Sequence, residues 1–129
     1  MLPTDNAKRK GLPLWDYLFN YFFDAFMAEV DVAVKGNQQH NPGESLHWAR
    51  EKSTDQLNTA LRHQADYAQG QKKDTDGCWH LAKAIWRLKA QLQLDIEAER
   101  ERANQIKPDP HGRIIKGMDA AVPIDVVLR

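Results

Sequence analysis

The chain has 129 residues, and its 18 Lys and Arg side chains are balanced by 18 Asp and Glu side chains. This length is typical of one domain of ~100–150 residues, and the neutral balance disfavours binding to nucleic acid or to an anionic membrane through net charge. A single cysteine, Cys78, excludes a disulfide within the chain, and no N-terminal apolar run resembles a signal peptide. We therefore expect a cytoplasmic protein with no nucleic-acid or membrane partner.

The first predicted helix follows an N-terminal arm, residues 1–12, that contains Pro, Gly and a basic KRK run. The helix is predicted from about Leu14 to Lys35, and Gly36 is predicted to end it because glycine favours helix C-termini. Its apolar stretch is too short, and too often interrupted by Asp and Asn, to cross a bilayer. The apolar residues at helical spacing are Leu18, Phe22, Phe26, Val30 and Val34.

A polar loop, KGNQQHNPGESLHW, separates this helix from a second one. Ser53 or Thr54 is predicted to cap the second helix, which extends to about Ala68. The segment QGQKKDTDG is predicted to form a turn, and a long third helix is predicted over about 78–103. The last part of the third helix is charged all round, which is typical of a segment that lies in solvent or against a partner chain.

The second and third helices carry apolar residues on one face, with Leu57 and Leu61 on the second. Three helices predict an all-α fold, a helical bundle that is completed by oligomerisation into a homodimer or homotetramer. A C-terminal tail, residues 108–129, is predicted either to be disordered or to extend along a neighbouring subunit, and we expect a single domain over 1–129. The apolar stripe of the third helix consists of Leu81, Ala84, Ile85, Leu88, Leu92 and Ile96.

Acidic side chains on or beside the three predicted helices are candidates for binding a divalent cation. Glu29 shares a helical face with phenylalanines, and a carboxylate on an apolar face has to be paired, protonated or bound to a cation. Asp31 follows it, Asp55 opens the second helix, and Asp74 and Asp76 precede the third. Carboxylates from several helices suit Mg²⁺, which favours them together with phosphate oxygens and water.

Two of these acids have an equally simple structural interpretation. Asp31 lies four residues before Lys35, which is the spacing of a salt bridge on a helix. Asp55 is placed to stabilise the helix dipole as an acid of the first turn.

Cationic side chains near these acids are candidates for binding phosphates. His80, Lys83 and Arg87 lie three and four residues apart and share a face of the third helix, and Arg62 lies on the second. Arg binds phosphate in a bidentate way and Lys acts as a point charge. The alternative is that each is solvated or paired with a nearby acid, but acids and bases together suit a ligand that carries both metal and phosphate.

Other catalytic motifs are not supported by the spacing. The five histidines and one cysteine include no paired Cys and no two His four residues apart on a helix, so the spacing does not predict a zinc site. The sequence also lacks a P-loop and a Gly-rich dinucleotide turn.

The segment KGNQQHNPGESLHWAREKSTDQLNTALRHQAD, followed by DTDGCWHLAKAIWRLKAQLQ, resembles a known family. The chain looks like the phage dATP/dGTP diphosphohydrolases, the MazZ-like group of MazG-like all-α pyrophosphatases, over about residues 28–97. The most specific elements are Gly-Asn, Gln-His-Asn-Pro-Gly and His-Trp in the loop, Lys-Ser before the second helix, Arg-His within it and Asp-Gly before the third.

The resemblance implies an α-helical, oligomeric enzyme that uses Mg²⁺ or Mn²⁺ to hydrolyse dGTP or dATP to monophosphate and pyrophosphate, in the host cytoplasm if a phage encodes it. In certain phages the dGMP formed feeds synthesis of 2-aminoadenine (diaminopurine) nucleotides. By analogy with the MazG group, Glu29, Asp31 and Asp55 are the catalytic and metal-binding acids, with Asp76 as a further ligand. The sequence departs from the group pattern, because the paired Glu of the first motif is missing and Asn58 stands where an Asp is expected.

The polar loop then has a physical interpretation as the cover of a purine base. A base requires an aromatic face, which Trp48 offers, and amide or imidazole groups that recognise its edge. The alternative is a surface loop stabilised by its own amide turns. The predicted base or sugar contacts, besides the tryptophan, are Asn37, Gln38, His40 and Asn41.

The predicted mechanism is attack of water at the α–β phosphoanhydride, with Glu29 as general base. The principal alternative from another class is a non-catalytic helical protein of phage assembly or regulation, and a third is a nucleotide sensor without turnover. The predicted phosphate-binding residues are Lys35, Arg62, His80, Lys83 and Arg87.

Overall fold

The computed structural model describes residues 1–108 and 110–115. Its long elements are all helices, so the all-α prediction is confirmed, and the two-residue strands β1 and β2 pair antiparallel. None of the described helices is long and apolar enough to cross a membrane. The elements are α1 (Asn6–Lys10), a π-helical turn (Asp16–Tyr21), α2 (Phe23–His40), a 3₁₀ turn (Arg50–Lys52), α3 (Gln56–Ala68), α4 (His80–Gln105), β1 (Lys107–Pro108) and β2 (Ile114–Ile115).

Contacts divide the chain into two compact units, of which the first is Met1–Lys89 and the second begins at Ala90. The first ten residues of α4 belong to the first unit, together with every residue of the candidate site. Most of the predicted C-terminal tail, including the apolar run at 122–127, lies outside the described residues. The prediction of a single domain over 1–129 stays a prediction.

The first predicted helix differs from the structure at both ends. Its N-terminal part is a π-helical turn that ends at Tyr21; Phe22, with φ −129° and ψ 27°, separates it from α2, which begins at the next residue. The prediction that Gly36 ends the helix is wrong, because α2 continues to His40 and its last turn is closed by the Asn41 amide, which donates to the Asn37 carbonyl at 2.8 Å. Glycine lowers helix stability without preventing helix formation, so its place in the sequence did not fix the end.

The second predicted helix is found as α3, with its C-terminus at Ala68 as expected. The predicted caps, Ser53 and Thr54, lie before the observed N-cap, Asp55, whose side chain makes no capping hydrogen bond. Instead, the Gln56 side-chain amide donates to the Ser53 carbonyl at 2.9 Å. The helix therefore begins one residue later than a Thr54 cap predicts and two residues later than a Ser53 cap predicts.

The buried apolar residues of the first unit are small, whereas the large apolar side chains of α3 and α4 are exposed. Ala60, Cys78, Ala82 and Ala84 are buried. The large side chains of the predicted faces are 39% to 61% exposed in the single chain. These exposed residues are Leu57 and Leu61 on α3 and Leu81, Ile85 and Leu88 on α4.

Candidate active site

A cavity of about 300 Å³ lies within the first unit, between the C-terminal half of α2, the loop that follows, α3 and the first turns of α4. Its wall combines cationic, aromatic and amide side chains with one carboxylate. The cations are Lys35, Lys52, Lys83 and Arg87, the aromatic and imidazole rings are Trp48, Trp86, His40, His47 and His63, and the amides are Asn37, Gln39 and Asn41, with Ser53 and Asp76 beside them.

Two tryptophans form the aromatic part of this cavity. The rings of Trp48 and Trp86 meet edge to face, with centroids 6.1 Å apart and an interplanar angle of 81°. The Arg50 guanidinium lies 4.2 Å from the Trp48 ring centroid. The Trp48 indole N–H is buried and has no hydrogen-bond partner within the described part of the chain. A buried donor without a partner is costly, so a ligand that accepts this hydrogen bond would gain from it.

The loop amides hold one another and so fix the position of the loop. The Asn41 side chain, which is 5% exposed, donates to the Asn37 side-chain oxygen at 3.1 Å, and Asn37 donates to the Glu44 carbonyl at 3.0 Å. Lys52 Nζ donates to the Asn41 side-chain oxygen at 2.9 Å and to the His40 carbonyl at 2.7 Å. These amide side chains therefore stabilise the loop itself. This supports in part the alternative interpretation, a loop held by its own amide turns.

Arg87 is fixed at the side of the cavity by its neighbours. Its guanidinium donates to the Ser53 hydroxyl and, at 3.2 Å, to the side-chain oxygen of Gln56, which is itself 2% exposed. The guanidinium carbon lies 5.2 Å from the Trp86 ring centroid. Partial burial lowers the pKa of Arg87, as does the nearby charge of Arg62. A partly desolvated cation of this kind gains from contact with an anion.

Lys83 links two aspartates at the floor of the site. Its Nζ lies 2.7 Å from an oxygen of Asp74 and 2.7 Å from an oxygen of Asp76. The hydrogen bond from Lys83, with another from the Thr75 amide, lowers the pKa of Asp74 to about 2, and the Lys83 bond also lowers the pKa of Asp76. Both carboxylates are therefore ionised at neutral pH.

A second lysine connects α2 to the same region. Lys35 Nζ lies 3.1 Å from the Asp31 carboxylate and donates to the Asp76 carbonyl at 3.0 Å. The hydrogen bond with Asp31 raises the pKa of Lys35. The Cys78 thiol donates to the same Asp31 carboxylate at 3.5 Å, and burial raises the thiol pKa. The predicted salt bridge of Asp31 with Lys35 is present, and it extends to the turn before α4.

A pair of histidines lies beside the aspartates. His63 Nδ1 and His80 Nδ1 are 3.0 Å apart, and a carboxylate oxygen of Asp66 is 3.8 Å from His80 Nδ1. Burial is the largest cause that lowers the pKa of His63, followed by the charges of Lys83 and His80. His63, His80 and Asp74 bring one potential metal-ligand atom each within 4.8 Å of one another.

The structure places the predicted acids in three different surroundings. Glu29 pairs with Lys89, and Asp55 lies 3.4 Å from Arg62; neither acid lines the cavity. Asp76 lines the cavity, while Asp31 is connected to it through the lysine of α2.

The predicted phosphate and base contacts divide in a similar way. Lys35, Lys83 and Arg87 line the cavity with Asn37, His40, Asn41 and Trp48, whereas Arg62, His80 and Gln38 do not. The sequence did not indicate site roles for Lys52, Ser53 and Trp86, or the contact of His63 and Asp74 with His80. The AIWR run of α4 was the available signal, because it places Trp86 beside Arg87 and one turn from Lys83.

The contact of Asp74 with Lys83 predicts a pH dependence of stability. Folding lowers the pKa of Asp74 from its ordinary value of 3.8 to about 2. The ionised carboxylate therefore contributes fully to the free energy of unfolding above about pH 4, and this contribution is lost as the pH falls through about 2. We expect Asp74→Asn to cost about 1 kcal/mol at pH 6, after allowance for solvent screening. The free energy of unfolding is measured by urea unfolding with a chelator present, and at pH 3 the loss caused by Asp74→Asn should be about half of that at pH 6. An equal loss at the two pH values would contradict the assignment.

Four cations, two tryptophans and one ionised aspartate, Asp76, line one cavity, and this combination is suited to a phosphorylated aromatic ligand. The chain matches, over residues 3–104, the family model described as dATP/dGTP diphosphohydrolase, N-terminal, and it therefore belongs to that family. The predicted family is confirmed, and its name indicates a hydrolase that acts on dATP and dGTP. Neither the curated proteins nor the solved structures contain a match.

Proposed function

We propose that this protein hydrolyses the purine deoxynucleoside triphosphates dGTP and dATP to monophosphate and pyrophosphate, with Mg²⁺ or Mn²⁺ as cofactor. The observation that carries the proposal is the convergence of Lys35, Lys52, Lys83 and Arg87 on a cavity whose wall contains two tryptophans. A triphosphate supplies the negative charge that these cations require, and a purine supplies a flat ring for the aromatic wall. If a phage encodes the protein, the product dGMP would feed synthesis of 2-aminoadenine nucleotides.

Trp48 and Trp86 are assigned to the base, and the cations to the phosphates. The fixed amides beneath the loop keep Trp48 in place, which lowers the entropic cost of ligand binding. Arg87 is the best placed for bidentate contact, because Ser53 and Gln56 already orient its guanidinium. Arg62 and His80, also predicted for phosphate, would have to change their present contacts to reach the cavity.

The acids of the site fit a divalent cation. Asp76 lines the cavity and is ionised, and Lys35 connects its backbone to the Asp31 carboxylate, so we assign these two aspartates as ligands. Glu29 and Asp55 would have to exchange Lys89 and Arg62 for the cation. When bound, a divalent cation neutralises charge on the phosphates and lowers the pKa of the attacking water.

The remaining chemistry belongs to side chains of this chain. Arg87, Lys52 and Lys83 hold the phosphate oxygens and offset the charge that develops on the leaving pyrophosphate. Asp76 is the carboxylate on the cavity wall, so we assign it, in place of Glu29, the role of accepting the proton from the attacking water. The tryptophans hold the nucleoside so that the α-phosphorus faces that carboxylate.

We further propose that copies of the chain associate through the exposed apolar side chains of α3 and α4, as a homodimer or homotetramer. In the single chain these side chains lie in solvent, although helices bury such faces in bundles. The same exposed face would serve the alternative function, a non-catalytic assembly or regulatory protein. The cavity favours the enzyme, because association alone requires no cluster of cations around an aromatic wall.

Hydrolysis in water enriched in ¹⁸O tests the proposal directly. The purified protein is incubated with each deoxynucleoside triphosphate, with Mg²⁺, with Mn²⁺ and with a chelator, and products are identified by ³¹P NMR and mass spectrometry. We expect dGMP or dAMP that carries the ¹⁸O label, with unlabelled pyrophosphate, only when metal is present. Inorganic phosphate or free deoxynucleoside as product would contradict the bond assignment, and binding without turnover, seen as a higher melting temperature, would favour a sensor.

A further inference from the structure

The histidine pair takes no part in the proposed hydrolysis, yet it has the composition of a metal centre. We propose that His63, His80 and Asp74 bind one divalent first-row transition metal ion that favours nitrogen ligands, such as Zn²⁺ or Co²⁺. Its ligands differ from the carboxylates assigned above, although His63 also lines the cavity, and the proposal does not depend on whether the protein hydrolyses nucleotides.

The separation of the two imidazole nitrogens fits a shared ion. Ligand nitrogens about 2.1 Å from a metal are about 3.0 Å apart when they subtend a right angle and about 3.4 Å apart in a tetrahedron. His63 Nδ1 and His80 Nδ1 are 3.0 Å apart, and a carboxylate oxygen of Asp74 lies within 4.8 Å of one ring nitrogen of each histidine. Two ligands on opposite sides of one ion are about 4.2 Å apart. All three donors can therefore reach one ion with only small side-chain movements.

The backbone fixes the donors before any ion arrives. His80 is the first residue of α4, is 2% exposed, and its amide donates to the Lys72 carbonyl at 2.9 Å. The pairing of Lys73 with Trp79 closes the intervening turn, which brings Asp74 back beside the start of α4. The Thr75 amide then holds the Asp74 carboxylate at 2.7 Å.

The charges around the histidines favour a cation. Two aspartates lie beside the pair, Asp74 and Asp66, the latter at 3.8 Å from His80 Nδ1, and a third, Asp76, shares Lys83 with Asp74. Lys83 is the opposing charge, and it occupies one oxygen of Asp74 while the Thr75 amide and hydroxyl contact the other. Each carboxylate oxygen has two lone pairs, so these contacts leave capacity for a metal.

The donor set selects the class of metal. Imidazole nitrogen suits Zn, Fe, Cu, Co and Ni, whereas Mg²⁺ and Ca²⁺ favour oxygen ligands. Two nitrogens and one carboxylate therefore predict a preference for a transition ion over Mg²⁺. The competing explanation is a hydrogen bond between one protonated and one unprotonated Nδ1, which the same 3.0 Å distance also permits.

Cobalt titration without nucleotide separates the two explanations. The full chain is stripped with a chelator, which is then removed, and titrated with Co²⁺ while visible absorption and calorimetry are recorded. We expect one Co²⁺ per chain, with d–d absorption bands that report nitrogen ligation, and we expect stoichiometric Zn²⁺ but not millimolar Mg²⁺ to abolish the bands. Absence of the bands, or their loss on addition of Mg²⁺, would overturn the proposal.

Substitutions locate the site. His63→Asn and Asp74→Asn should each weaken Co²⁺ binding by about 10-fold or more, while His47→Asn, the same change at an exposed histidine outside the cluster, should not. Circular dichroism confirms that each variant is folded, and His63 is chosen because it is less buried than His80. Binding by His63→Asn that equals the unsubstituted protein would overturn the assignment. Since nucleotide is absent, failure of the hydrolysis proposal would leave these results unaffected.

Discussion

Replacement of Arg87 with methionine is expected to lower kcat/KM for dGTP by about 10- to 100-fold. Methionine retains much of the apolar volume and removes the guanidinium, whose charge-assisted hydrogen bonds to phosphate are each worth about 1.5–3 kcal/mol. The loss should be large because Ser53 and Gln56 already orient this group beside the cavity, so it binds phosphate at little entropic cost. Steady-state kinetics with pyrophosphate release as the readout measures the effect.

Two matched variants show whether the lost cation is the cause. Arg87→Lys keeps the charge and loses the planar group, so we expect an intermediate kcat/KM. Arg102→Met makes the same substitution at an exposed position near the end of α4 and should be nearly neutral. If Arg87→Met is folded, as judged by its melting temperature, and retains the activity of the unsubstituted protein, the assignment of Arg87 to phosphate is wrong.

Replacement of Trp48 with alanine is expected to raise KM for dGTP by about 5- to 100-fold. The reason is the loss of one face of the aromatic wall, since stacking of a base on an aromatic side chain is worth about 1–3 kcal/mol. The Trp86 ring, 6.1 Å away and edge to face, cannot supply that face by itself. Nucleotide affinity is best measured by calorimetry with a non-hydrolysable dGTP analogue and Mg²⁺, because KM also contains catalytic steps.

Trp79 offers the control for this experiment, because it is 46% exposed, lies outside the cavity lining and contacts Lys73 at 4.6 Å. Trp79→Ala should therefore leave nucleotide affinity unchanged. Trp48→Phe separates two contributions, since it retains a ring but removes the indole N–H that has no partner among the described residues. If Trp48→Phe binds the nucleotide almost as tightly as the original protein, stacking on the ring accounts for the contribution of Trp48. If it loses as much affinity as Trp48→Ala, the indole N–H accounts for it. Unchanged affinity in Trp48→Ala would remove the loop from the site.

The sequence predicted the helices better than the surroundings of their side chains. The long helix α4 and the C-terminus of α3 follow from strong periodicity and from a turn rich in Gly and Asp. Periodicity identifies an apolar face but not its partner, so Leu81 and Leu88 were predicted to lie in an apolar stripe, and they are exposed in one chain. The helix through Gly36 was missed because glycine only weakly disfavours a helix, so its position does not by itself fix a helix end.

The candidate site was predictable where contacts are local or carried by the family resemblance. Asp31 and Lys35 are four residues apart, and their ion pair follows from helix geometry. His63 and His80 are separated by 17 residues and a turn, so their contact depends on the closed backbone between α3 and α4. The role of Lys52 was hidden for a similar reason, because it reaches across 11 residues to Asn41.

Asp74 and Asp76 share the ammonium group of Lys83, so a change at one carboxylate affects the other. When either carboxylate is neutralised or taken by another cation, the ammonium of Lys83 shifts toward the remaining one, so the two acids are thermodynamically coupled. Asp76 lines the cavity and Asp74 lies beside the histidines. Through Lys83, binding of a cation at one of these two places therefore affects binding at the other. The free-energy effects of changes at Asp74 and at Asp76 are therefore not additive.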